Sequence, residues 1–135
     1  MYINITFADT QIMELRLFNS LGKTKEVFRP KNGNLVTVYC CGPTVYDYTH
    51  IGNLRTFLFE DILTRYLEYK GYEVKFVMNI TDVDDKTINS SRKYNTTLKD
   101  YTKKFTDELF KDLKSLNIRE ASLYPRATEY IQDIE

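Results

Sequence analysis

The stretch LVTVYCCGPTVYDYTHIGNLRTFLF at residues 35–59 joins an apolar segment, a Cys-Gly-Pro break, an aromatic loop and the single histidine of the chain. Residues 35–41 are apolar on both faces, which is typical of a strand buried between the layers of a parallel sheet. Gly42 and Pro43 are expected to end it, because proline cannot donate to a sheet ladder and glycine tolerates unusual dihedral angles. The pattern therefore predicts a central, buried strand that opens into a loop carrying His50.

An amphipathic helix is predicted after His50, because apolar side chains recur at spacings of three and four up to about Lys70. Gly71 is its expected stop. The apolar stripe consists of Leu54, Phe57, Leu58, Ile62, Tyr66 and Leu67. Residues 73–78 are predicted to form the next strand, so that strand, helix and strand make a right-handed βαβ unit with parallel strands.

The loops that follow these two strands, at residues 41–42 and 79–81, are expected to lie side by side. The carboxyl ends of parallel strands meet at one edge of a sheet, and open α/β sheets bind ligands there. A helix that begins after His50 adds free backbone N–H groups and a partial positive charge, which favour phosphate, and Gly52 permits close approach. From these few residues alone, an ordinary loop histidine with a turn glycine remains an open alternative.

Smaller elements are predicted on either side of this unit. Residues 14–18 and 26–29 alternate charged and apolar side chains, which indicates a small antiparallel strand pair. Residues 1–12 are interpreted as an extension ahead of a second candidate start at Met13. The fold class expected is α/β, with the strand pair before the βαβ unit and helices after it.

Three helices are predicted in the last part of the chain. A short one begins near Val83, a longer one is capped by Thr97 with Asp100, and a third begins at Arg126. The longer helix carries an apolar stripe of Leu98, Tyr101, Phe105, Leu109, Leu113 and Leu116. We interpret its aromatic side chains as core rather than as a base-stacking platform.

Charged residues near these helices have plain interpretations. Asp82, Asp84 and Asp85 invite a metal-binding hypothesis, but carboxylates at the start of a helix cap its N–H groups and favour its dipole, and we prefer that interpretation. Lys103 and Lys104 are interpreted as a solvated face rather than a nucleic-acid patch.

Composition limits the classes of function. The chain has 135 residues, 42% of them hydrophobic, with 19 basic and 19 acidic side chains and no net charge, so no global positive field attracts nucleic acid. No apolar run reaches the roughly 20 residues of a membrane-spanning helix. The first residues lack the features of a secretory signal, and two adjacent cysteines do not form a disulfide framework. We expect a cytoplasmic protein with no membrane partner.

The motif YCCGPTVYDYTHIGNLRTF, followed by NITDVDDKTI, resembles the N-terminal half of cysteinyl-tRNA synthetases. This class I aminoacyl-tRNA synthetase family carries CGPTVYD, a HIGH-type motif and NITDxDDK in the same order. The resemblance runs from ELRLFN at residue 14 to YPRATEYI near the end. It implies that residues 13–135 form the N-terminal portion of a Rossmann-like catalytic domain. The implied reaction is ATP-dependent activation of cysteine, with magnesium accompanying ATP, and transfer to tRNA(Cys).

The resemblance also implies residue roles. Cys41 matches a ligand of a zinc ion that reads the substrate thiol, whereas Cys40 should face the other way, because side chains alternate along a strand. Gly42 and Thr81 match positions that contact the cysteine substrate. The residues implied for the ATP-binding HIGH-type motif are Pro43, Thr44, His50, Gly52 and Asn53, of which His50 and Asn53 are the catalytic pair. Asn53 replaces the usual second histidine, so it can donate a hydrogen bond but carries no charge.

This implied domain is expected to be incomplete. A zinc site needs four ligands, and the chain offers two adjacent cysteines and one histidine. It contains no KMSKS-type string, and the tRNA contacts are expected in regions missing from it. We therefore expect a monomeric fragment that is inactive alone. Two alternatives stay open: a ligase that joins cysteine to an amino sugar, and a truncated, non-catalytic ATP- or cysteine-binding module.

Overall fold

The computed structural model describes residues 14–134, which fall into two compact units that divide between Lys31 and Asn32. The first unit holds the predicted antiparallel pair, β1 (Arg16–Asn19) and β2 (Thr24–Val27). The predicted extension at residues 1–12 lies outside the described residues. The strand pair is thus confirmed, because alternating side chains on two short segments joined by a turn suit a two-stranded hairpin.

The second unit is built on two parallel strands, β3 (Leu35–Cys40) and β4 (Glu73–Met78), paired from Leu35 opposite Glu73 to Cys40 opposite Met78. The βαβ prediction is confirmed. The prediction of a central strand buried on both faces is wrong: among the described residues β3 lies in a two-stranded sheet with β4, and Tyr39 is 65% exposed. Extra backbone pairing occurs instead on the far side of β4, where Leu123 bridges Val77.

Helix α1 (Ile51–Tyr69) begins and ends where the sequence predicts, with His50 as its N-cap and Gly71 at a φ of +89° just after its C-cap. Its predicted stripe is only partly correct. Phe57 and Leu67 are buried, but Leu58, Ile62 and Tyr66 are exposed. The buried face also contains polar side chains, namely Glu60, Asp61 and Thr64.

Asp61 and Arg65 of α1 form hydrogen bonds to a turn at residues 117–119, which lies far away in the sequence. Asp61 accepts from Arg65 Nε at 2.8 Å and from the backbone N–H of Arg119 at 3.1 Å. Arg65 in turn donates to the carbonyl of Asn117 at 2.9 Å. Because burying a carboxylate is costly unless it is paired, these bonds favour the orientation of α1 that turns Asp61 inward.

Two further helices follow β4, α2 (Asp85–Lys93) and α3 (Leu98–Ser115), and α3 shares a core cluster with Phe57 of α1. Thr97 caps α3 by accepting from the backbone N–H of Asp100 at 3.1 Å, as predicted. The predicted α3 stripe joins two core clusters through Tyr101, Phe105, Leu109 and Leu113. Two members of the predicted stripe lie outside both clusters: Leu98 is half-buried, and Leu116 lies at the C-cap and is exposed.

The predicted single helix from Arg126 is wrong. The chain forms a 3₁₀ turn at Ala127–Glu129 and then a short helix α4 (Ile131–Ile134). Arg126 is extended and bridges Ile80, whose backbone also bonds to the carbonyl of Pro125 and the N–H of Ala127. These long-range bonds hold residues 125–127 beside Ile80, with Arg126 in an extended conformation. Among the described residues, no helix is long and apolar enough to cross a membrane.

Candidate substrate and nucleotide site

The two predicted ligand loops do lie side by side at the carboxyl edge of β3 and β4. Thr44, directly after the Cys-Gly-Pro break that follows β3, forms a parallel bridge with Thr81. The backbone N–H of Thr81 donates to Pro43 at 3.1 Å, and that of Val45 donates to Thr81 at 3.1 Å. The parallel pairing therefore resumes after the Cys-Gly interruption and holds the loops in register.

Asn79 connects these loops through its side chain, a contact that was not expected from the sequence. Its Oδ1 accepts from the backbone N–H of Gly42 at 2.9 Å and from the Tyr39 hydroxyl at 3.1 Å. Its Nδ2 donates to Oγ1 of Thr81 at 3.2 Å. The sequence held one signal for this contact: Asn79 is a polar residue directly after β4, and Gly42 follows the end of β3.

Gly42 leaves no room for a side chain. A Cβ atom built on it would lie 1.6 Å from the carbonyl oxygen of Asn79. Real Cβ atoms do not approach backbone oxygens so closely, so the two loops approach each other only because residue 42 is glycine.

The adjacent thiols have different surroundings. Cys41 is exposed, with its Sγ 3.8 Å from the carbonyl of Gly42. Cys40 is partly buried and packs against the core cluster that contains Phe57. Burial, together with the neighbouring carboxyl of Glu60, raises the pKa of the Cys40 thiol to about 12. Cys41 is thus the thiol available to a ligand or reagent.

The described residues do not build a complete zinc site. No group of three or more His, Cys, Asp or Glu side chains suited to a metal ion occurs among residues 14–134. Cys41 is the exposed thiol at this edge of the sheet, and a soft sulfur ligand suits zinc. Zinc in proteins takes four ligands, so Cys41 could hold the ion only together with side chains from outside this part of the chain.

His50 has a defined tautomer at the start of α1. Its Nδ1 accepts from the backbone N–H of Gly52 at 3.1 Å, so Nδ1 carries no proton in the neutral ring and Nε2 carries it. The side chain is exposed, and the first turn of α1 contains no acidic residue. Nε2–H and the partly free helix N-terminus therefore present donors and positive charge to an anion.

A cavity of about 250 Å³ brings together four of the five residues predicted for ATP binding. Gly52 is the one that does not line it, and its backbone N–H donates to Nδ1 of His50. Lys86 also lines the cavity, with its Nζ 4.9 Å from the centroid of the Tyr46 ring. The full lining is Pro43, Thr44, Val45, Tyr46, Asp47, Tyr48, Thr49, His50, Asn53 and Lys86.

The three carboxylates at residues 82–85 have separate structural partners. Asp84 caps α2 and forms a capping box with Thr87, and Asp85 lies in the first turn of that helix. Asp82 does not cap α2, which corrects the prediction. It is buried and accepts from the N–H and hydroxyl of Thr128 at 3.0 and 2.7 Å, so it fixes the C-terminal segment instead.

Comparisons with known proteins show which family this chain is similar to. Residues 27–135 match the family described as tRNA synthetases class I (C) catalytic domain. The cysteine–tRNA ligase of Brachyspira hyodysenteriae is 51% identical over 121 residues, which cover 90% of this chain and 26% of that protein. The cysteine–tRNA ligase of Methanosarcina acetivorans is 55% identical over 117 residues, which cover 87% of this chain and 25% of that protein. The cysteine–tRNA ligase of Chlamydia abortus is 56% identical over 117 residues, which cover 87% of this chain and 24% of that protein. The chain spans about a quarter of the length of these curated relatives.

Proposed function

Because this chain belongs to the family of class I (C) tRNA synthetase catalytic domains, we propose that it is the N-terminal portion of a cysteine–tRNA ligase. In the proposed reaction the carboxylate of cysteine attacks the α-phosphorus of ATP, an O–P bond forms, and pyrophosphate leaves. A ribose hydroxyl of tRNA(Cys) then attacks the carbonyl carbon of the adenylate, and AMP leaves. The proposed setting is cytoplasmic, as a monomer.

The proposed roles of this chain's residues are binding and charge stabilisation. Gly42 and Thr81 hold the cysteine at the sheet edge, next to Cys41. His50 donates from Nε2 to phosphoryl oxygens, and Asn53 donates from its amide. Since no side chain forms a covalent intermediate, positioning and electrostatic stabilisation carry the rate enhancement. Magnesium would accompany ATP, and a zinc ion would take Cys41 together with ligands that the described residues do not provide.

One observation supports the proposal most strongly. The bridge between Thr44 and Thr81 brings the candidate cysteine-binding residues Gly42 and Thr81 and the cavity that contains His50 onto the same edge of one sheet. The two substrates of an adenylation reaction must be held next to each other, because the carboxylate has to reach the α-phosphorus. A continuous edge that carries both sites meets this requirement.

A chimera tests the proposal with this chain as it is. The matching N-terminal segment of the Methanosarcina mazei cysteine–tRNA ligase, 54% identical over 117 residues, is replaced by the present sequence. We expect cysteine-dependent exchange of pyrophosphate into ATP and charging of tRNA(Cys). The same chimera with His50→Ala is the control, and its exchange rate should fall by about 100-fold or more, as for loss of a transition-state donor.

Three results of this experiment separate the candidate functions. A chimera that shows cooperative thermal unfolding but charges no tRNA contradicts the proposal. Binding of cysteine and ATP by the chimera without any pyrophosphate exchange favours the non-catalytic binding module. Equal activity with and without His50 means that the HIGH-type motif does not act as proposed.

A further inference from the structure

A second cavity, of about 580 Å³, adjoins the one that contains His50. The two cavities share one wall, the loop at residues 46–48 between β3 and α1. The other walls of the second cavity are the end of α2 and the first half of α3. The hydroxyl of Tyr101 on α3 donates to the carbonyl of Tyr46 at 2.8 Å, which holds the loop against that helix. A cavity of this size is large enough for a small organic ligand.

Aromatic rings line this second cavity, and two of them are open to solvent. Tyr48 and Tyr94 are 62% and 64% exposed. Tyr94 lies nearly parallel to the buried ring of Tyr101, with 14° between the rings. Tyr48 stands at 88° to the buried ring of Phe105. The α3 rings are thus core, and they fix two exposed rings on which a planar base can stack.

The lysines of this cavity have no acidic partner. The sequence places Lys103 and Lys104 together, but the structure separates them. Lys103 pairs with Asp107, whereas Lys104, like Lys93, forms no ion pair among residues 14–134. The Nζ atoms of Lys93 and Lys104 lie over aromatic rings of the cavity, 5.5 and 5.1 Å from the ring centroids. Two ammonium groups are therefore held beside the exposed rings and are available to an anion.

The two carboxylates in the lining already accept hydrogen bonds from close neighbours. Asp47 accepts from the backbone N–H of Tyr48 at 2.8 Å, and Asp100 accepts from the hydroxyl of Thr97 at 2.7 Å. With the two lysines, the lining carries two charges of each sign, so stacking must supply most of the binding energy. A nucleotide suits this mixture. Its base stacks on a ring, its phosphate accepts from an ammonium group, and its ribose hydroxyls can donate to a carboxylate.

We propose that this cavity binds the unpaired nucleotides at the 3′ end of tRNA(Cys), with a base stacked on Tyr94 and phosphates held by Lys93 and Lys104. This inference rests on the proposed function. In the transfer step the terminal ribose hydroxyl must reach the adenylate, which the proposed function places beside His50. The strand that carries this ribose needs a surface next to that cavity, and the shared loop joins the two. Its bases must be unpaired, because neighbouring base pairs cover the base faces in a duplex.

Removal of the Tyr94 ring tests the stacking contact in the 135-residue chain. Fluorescence anisotropy of a short, 5′-labelled single-stranded RNA with the 3′-terminal sequence of tRNA(Cys) measures Kd. Tyr94→Ala should raise Kd about 5- to 100-fold, as for loss of one stacked base, and Tyr94→Phe, which keeps the ring, should stay within about twofold. Tyr69→Ala is the matched control, because Tyr69 is also exposed and stacked on a tyrosine, Tyr66, but lies on α1 outside the cavity.

Lys104→Gln tests the phosphate contact. It should raise Kd and reduce the slope of log Kd against log salt by about 0.7, the contribution of one phosphate contact on a single strand. Lys103→Gln removes the same charge one residue away, where the lysine pairs with Asp107 and does not line this cavity. It should leave the slope unchanged. Equal slopes for the two variants would contradict the contact.

The chimera asks whether the same site serves the transfer step. Tyr94→Ala should raise the KM for tRNA(Cys) in charging by a factor similar to the rise in Kd. The KM for ATP in pyrophosphate exchange, which needs no tRNA, should not rise with it. A chimera that does not activate cysteine contradicts the proposed function, whereas RNA binding by the 135-residue chain still tests this inference.

Four results of the binding measurements overturn the inference. The first is the absence of RNA binding at millimolar concentration, and the second is an equal effect of Tyr94→Ala and Tyr69→Ala on Kd. The third is equally tight binding of the same RNA as a duplex, which would mean that phosphates alone are bound. The fourth is equally tight binding of AMP, which would mean that the cavity takes a free nucleotide rather than an RNA strand.

Discussion

At the scale of single residues, Gly42 has the least freedom to change. Its missing side chain lets the carbonyl of Asn79 come within 1.6 Å of where a Cβ atom would stand. We predict that Gly42→Ala lowers the free energy of unfolding by about 3 kcal/mol, because the two loops must separate to make room. Urea unfolding of the 135-residue chain measures this.

Gly52→Ala is the matched control. A Cβ at residue 52 meets only the His50 ring, at 3.3 Å from Nδ1, and that ring is exposed and free to adjust. Its effect on unfolding should stay below about 1 kcal/mol, since alanine favours a helix. Equal losses for the two substitutions would mean that the close approach at residue 42 does not hold the loops.

The adjacent thiols should differ in reactivity. With a pKa of about 12, the Cys40 thiol is ionised to only about one part in 10⁴ at pH 8, and only the thiolate is a nucleophile. We predict that an alkylating reagent modifies the Cys40→Ser variant quickly through Cys41, and the Cys41→Ser variant slowly until urea is added. Similar native-state rates for both variants would show that Cys40 is not held against the core.

At the scale of elements, α1 shows that a stripe of apolar residues does not always mark the buried face. Phe57 is 2% exposed and Phe59, two residues on, is 67% exposed. We predict that Phe57→Ala lowers the free energy of unfolding by about 3–5 kcal/mol, and that Phe59→Ala changes it by less than about 0.5 kcal/mol. Denaturant titration of both variants checks which face of α1 is buried. A larger loss of stability for Phe59→Ala than for Phe57→Ala would contradict the orientation of the helix described above.

In the last segment of the chain, long-range hydrogen bonds override a local helix pattern. RATEYIQDIE carries helix-forming residues, yet Arg126 is extended beside Ile80 and Asp82 binds Thr128. Intrinsic helix propensity is worth only tenths of a kcal/mol per residue, so a few long-range hydrogen bonds outweigh it over a short segment.

At the scale of the whole molecule, the candidate site is built on two parallel strands. A doubly wound nucleotide-binding sheet has about five or six strands, and the chain spans about a quarter of its relatives. We predict that the 135-residue chain alone does not support cysteine-dependent exchange of pyrophosphate into ATP. The chimera serves as the positive control in the same assay. Robust exchange by the isolated chain would show that the second half of such a sheet is dispensable.

Local pattern was enough to predict the order of strand, loop, helix and strand, the start of α1 after His50, and the meeting of the two loops. Each depends on side chains close together in sequence, or on the rule that parallel strands end at the same edge. The partners of Asn79, Asp61 and Asp82 were not predictable in this way. Gly42 and Asn79 are separated by 37 positions, and Asp61 and Arg119 by 58.

The sequence by itself thus determined which segments form the site and which chemical groups they carry, because periodicity and glycine or proline breaks are properties of neighbouring residues. The folded chain decided how those groups are oriented. The amide of Asn79 donates to the hydroxyl of Thr81, and its orientation depends on the backbone N–H of Gly42. A hydrogen bond has a donor end and an acceptor end, and that direction is set only when residues far apart in the chain are brought together.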